Sequence, residues 1–186
     1  SSSAASDVYK RQDYADLIEK SYGGFELYQR TGIPIHPMSP LSKIFWMRRE
    51  EPEIFKQTAM FADLKTYVLF QLYERFVIDY SLGSATGMMN LEQLDWDNKA
   101  LELLGIERNQ LPQLVPTTHV LTGMKKRYAT LMGIDEQTPV IVGASDGVLS
   151  NLGVNSYQKG EVAVTIGTSG AIRTVSYTHL TLPTKR

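Results

Sequence analysis

Two short β-branched runs near the C-terminal end break at small residues: 140–147 (VIVGASDG) and 164–170 (VTIGTSG). Runs of Val and Ile this short, closed by Gly, read as strands entering tight turns. A helical stretch precedes them. What leaves each strand differs. The first delivers a carboxylate, Asp146, and the second ends in Gly167-Thr168-Ser169-Gly170, dense in backbone N–H groups and hydroxyls. A base and a phosphate cradle are what phosphoryl transfer to a hydroxyl requires.

Each element also has a plainer use. Asp146 precedes a short helical pattern (GVLSNLG), where the macrodipole and free N–H groups favour an ionised carboxylate. An ordinary N-cap is the commoner role for such a residue, and one carboxylate can do both. The Gly-Thr-Ser-Gly turn suits an anion, but it would also close a hairpin between 162–166 and 171–175. It is not a Walker loop, because it lacks the lysine and the longer glycine spacing.

The bulk of the sequence excludes several function classes. A net charge of −1 gives no reason to expect nucleic acid or an anionic membrane as partner. With no cysteine there is neither a disulfide framework nor a thiolate metal site, which fits a reducing cytoplasm. No apolar stretch is long enough to span a bilayer, and residues 1–12 lack the apolar region of a signal peptide. Residues 1–12 (SSSAASDVYKRQ) and 176–186 (SYTHLTLPTKR) read as foreign or disordered ends that resemble translated adapter sequence.

From 13 to 75 the pattern is helical. Helices are expected over 13–20 and 25–30, with Gly32 as a C-cap. Pro34 and Pro37 exclude helix from TGIPIHPM, Ser39-Pro40 restarts one, and Pro52 begins another. Residues 61–76 read as an apolar core helix, and 77–97 as loop with a short strand near 88–91. Helices follow at 98–104, closed by Gly105, and at 123–133, with a turn near 110–114 between them. After Thr138 the pattern changes to strands flanking a helix over about 146–152, so a domain boundary is expected near 135–139.

Residues 38–50 (MSPLSKIFWMRRE) match position for position the first signature of the FGGY carbohydrate kinases, with Lys43 and Trp46 on its fixed points. Around it, 79–97 resembles that family's Asp-x-Ser…Ala-Ser-x-Thr segment, VGASDG the segment of its catalytic aspartate, and IGTSG its second phosphate-binding loop. RTGIPIHPMSPLSKIFW and VTIGTSGAIR are most similar to the gluconate-phosphorylating branch.

The resemblance implies an α/β, actin-like sugar kinase fold built on ribonuclease-H-like cores. Residues 13–137 would be the later part of the N-terminal domain and 138–175 the start of the C-terminal one. It implies ATP and Mg²⁺ as cofactors and a small-molecule sugar or sugar acid as substrate, with xylulose or another ketose or polyol as the second choice. It carries over Asp146 as general base, Gly167, Thr168 and Ser169 as ATP phosphate contacts, and Met38, His36 and Gly147 on the substrate side. A homodimer is one assembly open to it. A non-catalytic actin-like interaction module is the rival from another class. The family's Asp-x-Gly-Thr phosphate loop and its Gly-Gly adenosine segment are absent from these residues, so the chain by itself is expected not to phosphorylate gluconate.

Overall fold

A computed structural model describes residues 2–166 and 170–174. The chain divides into two compact units, with the division between Gly143 and Ala144.

The first unit opens with four helices: α1 (Ser2–Ser21), α2 (Gly24–Thr31), α3 (Pro40–Glu50) and α4 (Pro52–Gln57). Their limits follow local chemistry. Gly32 takes φ 71° and its N–H returns to the Tyr28 carbonyl, ending α2. Ser39 accepts from the Ser42 N–H while Pro40 fills the first helical position of α3. Helix α1 takes in residues 2–12 as well, a stretch without Gly or Pro and well supplied with Ala, Lys, Arg and Gln.

The next segments differ from the sequence expectation. Instead of one core helix over 61–76 there is α5 (Leu64–Tyr73), capped by Asp63, which accepts from the Thr66 N–H at 3.0 Å. Only one side of it is covered. Thr66, Leu69 and Tyr73 are buried, while Leu64 is 79 % and Tyr67 53 % exposed. Residues 77–97 are not mainly loop. They hold β1 (Val77–Asp79), α6 (Tyr80–Ser84), β2 (Met89–Asn90) and β3 (Asp95–Trp96). Strand β1 is three buried residues, too short for a period to show in the sequence.

Helix α7 (Asn98–Leu104) ends at Gly105 as expected, and a 3₁₀ turn (Arg108–Gln110) leads into β4 (Gln113–Val115) rather than a simple turn. Strand β4 pairs parallel with β1, Ile78 opposite Leu114, and β2 pairs antiparallel with β3. Then come β5 (Val120–Leu121), α8 (Lys126–Met132) and β6 (Val140–Ile141). The strand at 140, expected to open the second domain, pairs antiparallel with β5 of the first unit. It carries Val142 into a cluster with Tyr73, Leu121 and Met124. A larger cluster gathers Ile18, Leu41, Phe45, Met89, Trp96 and Leu104, packing α1, α3 and α7 around the β2–β3 ribbon.

Gly105 carries a testable cost. Its φ of 67° is the left-handed region, and a Cβ there would also stand 2.7 Å from Arg48 Cζ. Gly105→Ala should destabilise the unit by about 1–2 kcal/mol, mostly from backbone strain since the guanidinium can swing aside. A lowered urea midpoint at unchanged slope would record it.

In the second unit, α9 (Asp146–Gly153) precedes a hairpin of β7 (Val162–Ile166) and β8 (Gly170–Thr174), with Val164 opposite Ile172. Ala163 is buried, whereas Val164 and Ile172 are exposed, so the hairpin turns only one face inward.

Candidate active site

The residues picked from sequence fall in both units. In the first, the two prolines hold 33–36 out of helix, and the chain turns at 37–38 before α3. His36 and Met38 are together in this loop: the Met38 backbone N–H donates to His36 Nδ1 at 3.1 Å, and the His36 carbonyl accepts from the Ser39 N–H and Oγ. His36 is therefore a loop histidine bonded to backbone, with Nε2 on the other side of its ring. Both it and Met38 are exposed. Lys43 is half-buried and lines a cavity of about 310 Å³ with Asp63, Thr86, Met88 and Trp96. Trp46 Nε1 is buried with no hydrogen-bond partner among the described residues.

In the second unit Asp146 is the first residue of α9, and Ser145 occupies the N-cap position with φ −66° and ψ 153°. The N-cap position weighed for Asp146 is therefore its neighbour's, although the Ser145 side chain makes no capping hydrogen bond to α9. Nor does Asp146 follow a buried strand, because Val140 is half-buried and Ile141 63 % exposed. The Asp146 side chain is exposed. Its Oδ1 accepts from the Gly147 N–H at 2.7 Å, and Oδ2 has no donor among the described residues. An exposed carboxylate at a positive helix end, with one oxygen tethered and one open, can take a proton from a hydroxyl. Gly147 is half-buried and stands beside Arg173 of β8. Gly167, Thr168 and Ser169 lie outside the described residues, between two strands that do pair as a hairpin.

The carboxylates missed by the sequence reading are the most deeply buried ones. Asp79 is fully buried at the end of β1. It accepts from the Ser81 and Leu82 N–H groups and pairs with Lys65 Nζ at 2.6 Å. Asp97 caps α7 through the Ala100 N–H, accepts from Asn90, and takes Arg30 through Nε at 2.7 Å and Nη2 at 3.2 Å. An Asp directly before a helical pattern was the available signal for both; the cationic partners had none.

Burial pushes both carboxyls up, but their partners outweigh it. Lys65 and the Ser81 and Leu82 donors hold Asp79 below the usual carboxylate range, and Arg30, the Ala100 N–H and Asn90 do the same for Asp97. A depressed folded value means that the unfolded chain binds protons first as pH drops. The stability these groups contribute is complete above an unfolded value of about 3.9 and is lost as pH falls through the folded values. Thermal unfolding should therefore be flat from pH 7 to 5 and decline below about pH 4, with a shallower acid decline in Asp97→Asn.

Among the described residues no three His, Cys, Asp or Glu gather into a metal site, and no helix is long and apolar enough to cross a membrane.

A helix-rich α/β unit, a signature helix with its preceding loop, and an aspartate opening a helix ahead of a Gly-Thr-Ser-Gly hairpin together define a class. Residues 6–153 match the N-terminal domain of the FGGY family of carbohydrate kinases, and the chain belongs to that family, with its actin-like fold. It is 54 % identical over 166 residues to gluconokinase of Bacillus subtilis (strain 168), covering 89 % of this chain and 32 % of that protein. Among solved structures, gluconate kinase from Lactobacillus acidophilus superposes with a TM-score of 0.84 at 36 % identity, over 88 % of this chain and 33 % of that one. Xylulose kinase from the same organism gives the same TM-score and identity, over 88 % of this chain and 34 % of that one. The chain spans about a third of the length of the curated relatives it matches.

Proposed function

We propose that this chain is part of an ATP-dependent kinase that phosphorylates a sugar acid, converting gluconate to 6-phosphogluconate. The 54 % identity to a gluconokinase across nearly the whole chain carries the reading. Asp146 accepts the proton of the acceptor hydroxyl as that oxygen bonds to the γ-phosphorus and the bond to the β–γ bridging oxygen breaks, releasing ADP. Gly167, Thr168 and Ser169 hold phosphate oxygens through backbone N–H groups and hydroxyls. Met38, His36 and Gly147 line the sugar side, with His36 Nε2 as a donor to the substrate. Mg²⁺ travels with the nucleotide phosphates, which need only one or two protein carboxylates to hold it; none of the described residues is assigned to it. The enzyme acts in the cytoplasm on a small molecule, without nucleic acid or membrane as partner.

A ketose kinase is the second reading, favoured by the equal likeness to a xylulose kinase structure. The test is phosphorylation of gluconate, xylulose and glycerol by the full-length product of the parent gene. Preference for gluconate by kcat/KM supports the first reading, and preference for xylulose replaces it with the second. Loss of all three activities despite a folded protein would leave a non-catalytic module.

A further inference from the structure

We propose that Arg173 is the residue that selects a carboxylate-bearing substrate, by receiving the acid group of the sugar while Asp146 faces the hydroxyl to be phosphorylated. The inference rests on the sugar-acid reading above and adds a residue to it.

Arg173 lies on β8 opposite Ala163, and directly opposed residues in an antiparallel pair share a face. Ala163 is buried, so this is the inward face of the hairpin. There the guanidinium meets the start of α9: a Cβ on Gly147 would stand 3.1 Å from Arg173 Nε and 3.7 Å from Cζ. A Cβ there would be tight, so the Arg173 side chain would have to give by a few tenths of an ångström. The guanidinium fork matches a carboxylate with two parallel N–H donors, whatever other contact the side chain keeps.

The surroundings fit the rest of such a molecule. Gly147, Asn151, Ser156, Tyr157 and Arg173 line a cavity of about 440 Å³, within the range of small-molecule sites. Ser156 is 7 % exposed, and neither its Oγ nor Asn151 Oδ1 has a partner among the described residues. Buried polar atoms left unpaired are costly, and a ligand carrying several hydroxyls supplies both the donor and the acceptor they lack. A six-carbon sugar acid has its carboxylate and its terminal hydroxyl at opposite ends. In the proposed pose one end meets Arg173 and the other reaches Asp146, whose chain neighbours Ser145 and Gly147 line the cavity. A ketose offers the hydroxyls but no carboxylate for the guanidinium fork.

The test uses the full-length protein and a matched pair of substrates, gluconate and its neutral amide, with the KM for ATP measured in parallel. Arg173→Met should lower kcat/KM for gluconate about 10- to 100-fold, through KM, since the lost contacts are charge-assisted hydrogen bonds. The amide should change less than about threefold. Arg173→Lys should recover part of the loss as a point charge, and Gly147→Ala, which presses on Nε, should weaken gluconate use selectively. Thermal melts of each variant separate a folding defect from a recognition defect; where Arg173→Met fails to fold, the Lys and Ala variants decide the matter. Equal losses on both substrates, a raised KM for ATP, or no change at all would overturn the proposal. Wild-type protein that uses xylulose and ignores gluconate overturns the sugar-acid reading itself, which is a different result.

Discussion

Asp146→Asn in the full-length kinase is expected to lower kcat for its sugar acid by about 10²- to 10⁴-fold, the range in which a positioned general base contributes. The substitution keeps the size of the side chain and leaves Oδ1 able to accept from the Gly147 N–H, the contact that tethers the carboxylate at 2.7 Å. What disappears is the open oxygen's capacity to take a proton. KM for ATP and for the sugar should move little, because the substitution removes an interaction that strengthens only as the hydroxyl proton is transferred. Steady-state kinetics with both substrates varied gives the answer. A variant retaining more than about a third of wild-type kcat would remove Asp146 from the role of base.

Asp97→Ala should destabilise the first unit by about 3–5 kcal/mol. Asp97 is 2 % exposed and joins three elements that are distant in sequence: Arg30 from α2, Asn90 from β2 and the Ala100 N–H of α7. Truncation leaves a partly buried guanidinium without its counter-ion, an amide without its acceptor and a helix without its cap. Arg30 keeps about a third of its side chain in water, which places the loss toward the lower end of that range. Arg30→Met alone should cost less, since Asp97 would keep its Ala100 and Asn90 donors. Urea unfolding followed through the two tryptophans measures both variants, and Trp96 stands next to the substituted position. A loss below about 1 kcal/mol for Asp97→Ala would show that the pair is worth no more than a surface ion pair.

The legible parts of this protein were those whose cause lies within a few residues. Gly32, Ser39-Pro40, Gly105 and Gly133 ended or began helices where expected, because a left-handed φ, a hydroxyl acceptor or a fixed proline φ acts on its own turn of backbone. The match at 38–50 pointed to the family for a related reason, since a signature is a local string. The apolar run at 61–76 misled because hydrophobicity alone does not say where Asp63 will cap, or that Glu74 will take φ 56° and end the helix. Strand β1 was missed because three buried residues have no period and become a strand only when β4 arrives, 36 positions later, to accept them.

Read alone, then, the sequence determined the helix ends at Gly32, Ser39-Pro40, Gly105 and Gly133, the family, and Asp146 as the carboxylate to test. The tertiary structure decided which charges are buried and with whom: Lys65 with Asp79, Arg30 with Asp97 across 67 positions, and Arg173 beside Gly147. Such pairings depend on where the chain returns after folding. The desolvation that makes them consequential does not exist until the core closes over them.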